Sequence, residues 1–182
     1  MCDLVIMYIE RLNFNVPGHV YIGMFLLFFI GTLLMFLYGG LKKGLCLSLG
    51  LLLVEYIIWL YCSTFLFHPY KENQGYNYHL FWSYVSIQNG KEDLLAQNIL
   101  NVFVFIPVGM LLVLAFRKIR WWSVLLVGMC ISASIEVLQF FFHRGFAETD
   151  DVMHNTLGCA IGFLIVAIIK GIWLLQKRYW MR

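Results

Sequence analysis

The sequence has few charged residues: Asp, Glu, Lys and Arg make up only 13% of it, whereas about a quarter is usual in a soluble domain. At the same time 62% of its residues are hydrophobic. Water cannot hold such a chain as a folded monomer, because too few polar side chains are available to cover its surface. The shortage of charge therefore excludes an ordinary soluble domain and indicates an integral membrane protein.

Other absences exclude further classes. None of the five cysteines forms a C-x-x-C pair, so neither a disulfide framework nor a structural zinc site is expected. The 13 Lys and Arg residues stand in short clusters at the ends of apolar runs, which is not the pattern of nucleic-acid binding. Five acidic and histidine residues that could bind a metal lie near one another: His143, Glu148, Asp150, Asp151 and His154. Their spacing fits no standard ligand motif, so we expect no metal or cofactor.

What the sequence does contain is long apolar runs. About 20 mostly apolar residues are enough for a helix to cross the hydrocarbon core of a bilayer. We therefore predict an all-α, polytopic membrane helix bundle that forms a single integral membrane domain over residues 1–182. Its transmembrane helices, about five in number, are predicted at residues 20–38, 45–67, 98–116, 121–142 and 152–169.

The basic residues predict the orientation, because Lys and Arg in short loops favour the cytoplasmic side. With five crossings and the N-terminus outside, nine of these residues lie on the inner side and four on the outer side. The C-terminus is then cytoplasmic. The loops at 68–97 and 143–150 are predicted to face outward.

Three predicted helices carry polar or small residues at helical spacing, so each has one such stripe. On the fourth helix the steps of four, three and four residues keep the side chains within about 60° of one another. In the predicted topology the polar parts of all three stripes lie near one interface. The stripes are Asn98, Asn101, Phe105 and Gly109; Ser132, Glu136, Gln139 and His143; and Asp151, Asn155, Gly158 and Gly162.

Glu136 is the residue of these stripes whose charge is most costly to place inside a membrane helix. It lies about six residues, or roughly 9 Å, from the predicted end of its helix. A carboxylate at that depth must face a wet polar pocket, pair with a cation or hold a proton. Arg144 is the nearest basic residue in the sequence on the same side, and we predict a Glu136–Arg144 ion pair.

Each polar residue also has a structural interpretation. Amides and carboxyl groups can hydrogen-bond between membrane helices, and the Gly158-x-x-x-Gly162 pattern favours close helix packing. We expect Asn98 to be a helix N-cap, and Thr149 or Asp150 to cap the fifth helix, which leaves Asp151 available for a ligand.

Two further features allow two interpretations each. Glu55 stands alone in the second helix, where it is either protonated or hydrogen-bonded to another helix, or part of a proton or substrate path. The loop at 68–97 contains six aromatic residues within a short stretch. It is either an aromatic belt at the headgroup level or a lid over the polar pocket.

The polar positions follow one another in a definite order: Asn98-Ile-Leu-Asn101, Phe105-Ile-Pro107-Val-Gly109, Ser134-Ile-Glu136-Val-Leu-Gln139, Arg144, Asp150-Asp151, Asn155-Thr156-Leu-Gly158 and Gly162. This ordered pattern resembles the VanZ-like family over about residues 77–162. The upstream segment Asn77-Tyr-His-Leu80-Phe81 departs from the family pattern, in which Leu and Pro stand where this sequence has Tyr78 and Leu80.

The resemblance implies a multi-pass protein of the bacterial plasma membrane, in a family named for a member associated with resistance to the lipoglycopeptide teicoplanin. The ligand-binding residues that it implies are Asn101, Glu136, Gln139, Arg144, Asp151 and Asn155.

We expect a non-enzymatic protein whose outer-side pocket recognises the polar part of an amphiphile. The expected partners are membrane lipids and either an envelope lipid intermediate or a lipoglycopeptide antibiotic. The alternative is a membrane enzyme that acts on an envelope lipid with Glu136 or Asp151 as general acid or base. A third possibility is an assembly partner for other envelope proteins.

Overall fold

The computed structural model describes residues 16–68, 70, 72, 75–116 and 118–180. Five of its helices are long and apolar enough to cross a membrane, which confirms the predicted all-α, multi-pass bundle. The orientation stays a prediction, and the residues at both ends of the chain lie outside the described part. The helices are α1 (Gly18–Leu41), α2 (Lys43–Leu66), the short α3 (Trp82–Gln88), α4 (Asp93–Ala115), α5 (Trp121–Phe142) and α6 (Thr149–Trp180).

Helices α1 and α2 form one helical segment that is broken at Gly40. The backbone there has a φ of 64° and a ψ of −179°, a conformation that glycine adopts at little cost. None of the most apolar stretch of α1 is buried within the chain, so many of its Leu and Phe side chains are exposed on the outside of the bundle. The last turn of α2, Cys62–Leu66, is π-helical.

The tightest packing in the bundle joins α4 and α6, which run parallel with their backbones in close approach. A Cβ atom at Gly158 or Gly162 would overlap the carbonyl oxygen of Val102 or Ile106 on α4. A Cβ atom at Gly109 of α4 would likewise overlap the backbone of α6. The packing seam predicted at Gly158-x-x-x-Gly162 is therefore present, and its partner is α4 of the same chain.

The other helices attach to this pair through polar contacts as well as apolar ones. Pro107 lies inside α4 and lacks the N–H group that a helix would offer to the carbonyl of Phe103. The Tyr56 hydroxyl of α2 donates to the next carbonyl, that of Val104, at 2.8 Å. Side chains of α2, α4, α5 and α6 share one apolar core that includes Leu60, Val108, Val124 and Cys159.

Two short strands bring the loops together at one end of the bundle. β1 (Tyr76–Asn77) pairs in parallel with β2 (Ala147–Glu148), in the register Asn77 to Glu148. The ring of Phe146 lies against Gly75. Because α4 and α6 also begin at this end and α5 finishes there, the pairing holds Glu148 beside three helix termini.

The seam yields a prediction about stability. Gly162→Leu should lower the free energy of unfolding by about 1–3 kcal/mol, because the new side chain must separate α6 from the backbone of α4. Unfolding of the detergent-solubilised protein in sodium dodecyl sulfate measures this change. The control is Gly171→Leu on the same helix, where a Cβ atom meets no other group within 4 Å. Equal stability of the two variants would contradict the assigned seam.

Candidate functional site

Carboxyl groups from three elements meet at the end of the bundle where β1 and β2 pair. The Glu136 carboxylate of α5 accepts a hydrogen bond from the backbone N–H of Glu148 at 2.8 Å. The Gln97 amide of α4 donates to the Glu148 carboxylate at 3.4 Å and also hydrogen-bonds to Asp151 of α6. Asp151 interacts electrostatically with both glutamates, so the three acids form one group.

A second layer of polar side chains lies one helical turn below these acids. Asn155 follows Asp151 by one turn on α6, and its Nδ2 donates to the hydroxyl of Ser132 at 2.7 Å. Ser132 lies one turn before Glu136 on α5, and Asn101 lies one turn after Gln97 on α4. The two layers together make up what we call the polar cluster: Gln97, Asn101, Ser132, Glu136, Glu148, Asp151 and Asn155.

Three atoms of the polar cluster are buried without a hydrogen-bond partner in the described chain: Asp151 Oδ1, Asn155 Oδ1 and Asn101 Nδ2. Nearly all buried polar atoms in native proteins do have a partner. Three unpartnered atoms within one cluster are therefore an exception to this rule, and water or a bound molecule would be needed to complete their hydrogen bonding.

Glu148 lies outside the membrane-spanning helices, yet its side chain is only 4% exposed. Burial raises the pKa of Glu148 from 4.5 to about 7, the hydrogen bond from Gln97 opposes the rise, and the negative charge of Asp150 adds to it. Glu148 thus exchanges its proton near neutral pH. This is an unusual property for a glutamate and one that marks functional sites.

Asp150 has a different and structural role beside the polar cluster. Its carboxylate accepts hydrogen bonds from the Phe81 N–H at 2.6 Å, the Ser83 N–H at 2.9 Å and the Ser83 hydroxyl at 2.6 Å. The Asn98 amide then donates to the Ser83 hydroxyl oxygen at 3.1 Å. Asp150 therefore caps the N-terminus of α3 and fixes the loop at 68–97, which we call the aromatic loop, onto α6.

These contacts correct the capping roles expected from the sequence. Helix α4 begins at Asp93, so Asn98 lies more than one turn inside the helix and is not its N-cap. Asp150 caps α3 and does not cap the helix on which it stands. The expectation failed because the Phe81–Ser83 backbone approaches α6 only in the folded chain.

Gln139 and Arg144 lie at the end of α2. Gln139 Nε2 donates to the carbonyl of Thr64 at 2.9 Å, and the Arg144 guanidinium donates to the carbonyl of Leu66. These carbonyls belong to the last turn of α2, where a helix has no N–H groups of its own to offer. The predicted Glu136–Arg144 ion pair is wrong, since each side chain has a backbone partner elsewhere.

The structure thus divides the six predicted ligand-binding residues into two groups. Asn101, Glu136, Asp151 and Asn155 lie in the polar cluster, whereas Gln139 and Arg144 hold α2. Sequence reasoning missed Gln97 and gave Glu148 no role beyond an unsupported metal site. No local sequence pattern predicts that Glu148 is buried, because its burial depends on a strand of only two residues that pairs with a distant loop.

Two other candidate features lie apart from these contacts. Glu55 is buried in α2, and its Oε1 has no hydrogen-bond partner in the described chain. His154 is buried and shares a 2.9 Å hydrogen bond with the hydroxyl of Tyr84 in α3. Within the described ranges, no three His, Cys, Asp or Glu side chains are arranged to hold a metal ion.

Residues 53–170, more than half of the chain, match the model of the VanZ/LLP1 family. This chain belongs to the VanZ/LLP1 family. The VanZ/LLP1 segment begins within α2 and so includes the carbonyls that Gln139 and Arg144 hold, as well as the whole polar cluster. It extends further toward both ends than the resemblance over residues 77–162.

Among curated proteins, the chain is similar to Protein VanZ of Enterococcus faecium, with 32% identity over 68 residues. The match covers 37% of this VanZ/LLP1 chain and 42% of that protein, less than half of either. No solved structure matches the chain significantly. The family and the membrane-spanning helices together establish a multi-pass VanZ-like membrane protein.

The capping role of Asp150 leads to a prediction about the loop. Asp150→Ala leaves two backbone N–H groups and the Ser83 hydroxyl without an acceptor, which should cost about 1–3 kcal/mol. We expect faster amide hydrogen exchange across residues 81–88, measured by mass spectrometry. Glu92→Ala, which removes an exposed acid from the same loop, serves as the control. Unchanged exchange in Asp150→Ala would show that the cap does not hold α3.

The raised pKa of Glu148 predicts a pH dependence of stability. Between about pH 4.5 and about pH 7 the folded protein retains a proton on Glu148 that the unfolded chain releases. The contribution of Glu148 to the free energy of unfolding is therefore fully present below this pH range and is lost as the pH rises through it. The unfolding temperature of Glu148→Gln should decrease less than that of the wild type over this pH range, whereas the unfolding temperature of the exposed-site control Glu92→Gln should show the full decrease. An unaltered profile in Glu148→Gln would refute the assignment.

Proposed function

We propose that this VanZ/LLP1 protein binds the polar head of an amphiphilic cell-envelope ligand at the polar cluster, on the outer face of the bacterial plasma membrane. The proposal depends mainly on one observation: unpartnered buried polar atoms from α4 and α6 meet at a single end of the bundle. Hydrocarbon offers such atoms no partner, so they are costly unless a ligand or water completes their bonding.

The surroundings of the polar cluster suit a molecule with an apolar part. Trp82 and Phe146 lie beside it with their ring centroids 6.0 Å apart. Tyr76, Tyr78 and Phe81 are exposed at the same end. Aromatic side chains favour the boundary between lipid and water, where an amphiphile's head and tail separate. The aromatic loop then contacts the apolar portion while the polar cluster binds the head.

Two ligand classes fit this arrangement: an envelope lipid intermediate and a lipoglycopeptide antibiotic of the teicoplanin type, the class that the family resemblance implies. Either would approach the site from the outer leaflet. Binding of an antibiotic here would reduce its access to targets at the cell surface, which gives resistance without catalysis.

One observation favours a membrane enzyme as the second candidate. Glu148, with a pKa of about 7, lies next to Glu136 and Asp151 and exchanges protons in the range that general acid–base catalysis needs. Acid–base chemistry on an envelope lipid would then involve these three carboxyl groups. Lipid intermediates in membranes distinguish the two candidates, because a binding protein does not alter their covalent structure and an enzyme does.

Teicoplanin susceptibility tests the binding proposal. In a bacterial host that produces the wild-type chain, we expect reduced susceptibility. Glu136→Gln and Asp151→Asn should lose at least half of this protection, because both change the polar cluster. Immunoblots of the membrane fraction confirm equal amounts of each variant.

The matched control for these variants is Asp93→Asn, which removes an exposed acid at the start of α4. It should protect as well as the wild type. Full protection by both polar-cluster variants at normal membrane levels would refute the proposed function. A changed profile of lipid intermediates that requires Glu136 would favour the enzyme instead.

A further inference from the structure

We infer that the group bound at the polar cluster is a protonated primary amine and not a phosphate or another anion. This inference depends on the proposed function, since it names the chemistry of the ligand at the same site. It is supported by two independent features of the described residues: the charge of the groups around the site and the hydrogen-bonding type of their unpartnered atoms.

The first feature is an excess of acid to which no basic side chain of the described residues is bonded. Glu136, Glu148 and Asp151 interact with one another, and Asp150 lies close enough to act on two of them. Among the described residues, the groups that donate hydrogen bonds to these acids are uncharged: backbone N–H groups, the Ser83 hydroxyl, the Gln97 amide and the Trp82 indole. A cation placed here would stabilise the ionised form of these carboxyl groups, whereas an anionic head would be repelled by each of them that is ionised.

Arg144 does not supply that cation. It is the basic residue nearest to Glu148 along the chain, and its guanidinium is bonded to the carbonyl of Leu66 at the end of α2. His154 is also close in sequence, but it shares its hydrogen bond with Tyr84 of α3. A ligand is therefore a better source of positive charge for the polar cluster than either side chain.

The second feature is the kind of atom that lacks a partner. Asn155 is 6% exposed, and its Oδ1 is an unpartnered acceptor. This amide lies beneath the acids, because Asn155 is one turn from Asp151 and its Nδ2 bonds to Ser132, one turn from Glu136. Asn155 carries no charge, so its free acceptor is evidence separate from the acid excess.

The other unpartnered acceptors have the same preference. They are Asp151 Oδ1 in the polar cluster and Asn98 Oδ1 beside Ser83. The orientation of the Asn98 amide follows from its network, because Ser83 donates its proton to Asp150 and must accept from Asn98. An ammonium group offers three N–H donors and no acceptor, which matches these acceptor atoms, whereas a phosphate offers acceptors and would match only the Nδ2 donor of Asn101.

A set of three amphiphiles with the same dodecyl tail tests the inference. Dodecylamine carries an ammonium with N–H donors, dodecyltrimethylammonium carries the charge without donors, and dodecyl phosphate carries the opposite charge. Isothermal titration calorimetry measures their binding to the full chain in phosphatidylcholine nanodiscs, after subtraction of partitioning into empty nanodiscs. We expect saturable binding of dodecylamine at least tenfold tighter than that of the other two.

Substitutions then assign the binding to the polar cluster. Glu148→Gln with Asp151→Asn should weaken dodecylamine binding at least tenfold, and Asn155→Ala, which removes an uncharged acceptor, about threefold. The control Glu92→Gln removes an exposed acid and should bind like the wild type. If the double variant does not fold, Glu148→Gln alone provides the test, because Glu148 lies outside the spanning helices.

The amine can belong to a membrane lipid or to a soluble amphiphile, and nanodiscs that contain phosphatidylethanolamine separate these sources. If phosphatidylethanolamine competes with dodecylamine for the site, the natural amine belongs to a membrane lipid. If it does not compete, the amine belongs to a soluble amphiphile. Binding of dodecyl phosphate that is equally tight and equally sensitive to the substitutions would overturn the amine while leaving amphiphile binding intact. If no probe binds saturably, the amine inference fails, and the susceptibility assay alone decides the proposed function.

Discussion

The close approach of the α4 and α6 backbones across Gly109, Gly158 and Gly162 is the constraint on which the rest of the structure depends. In lipid there is little hydrophobic force between helices, so such pairs are held by close packing and by polar contacts. The seam sets α4 and α6 side by side, parallel and in register. As a result Gln97 and Asn101 of α4 face the same region as Asp151 and Asn155 of α6, and α5 completes the polar cluster with Glu136.

The neighbours Asp150 and Asp151 show how this arrangement assigns different tasks to similar side chains. Successive residues of a helix point about 100° apart. Asp150 therefore points toward α3 and finds a full set of donors, whereas Asp151 points toward Glu136 and Glu148 and keeps one oxygen without a partner. The first acid stabilises the loop. The second belongs to the polar cluster, where we propose that a ligand binds.

Gln139 and Arg144 extend the site in another way. By binding the last carbonyls of α2, they connect the position of that helix to the end of α5 and to the loop that carries Glu148. The six residues implied by the family resemblance thus fall into two connected groups, one in the polar cluster and one that attaches α2. Loss of either group would disturb the polar cluster, the first directly and the second through the loop.

The sequence by itself determined the membrane class, the five helices and the polar stripes, because low charge, span length and helical spacing are local properties. It also identified the glycine seam, since small residues at four-residue spacing favour close packing. Only the tertiary structure decided the partners. Glu148 joins the polar cluster, Asp150 caps α3, and Arg144 bonds to α2 and not to Glu136. Each of these contacts joins segments that are separated along the chain, and no local sequence pattern predicts such contacts.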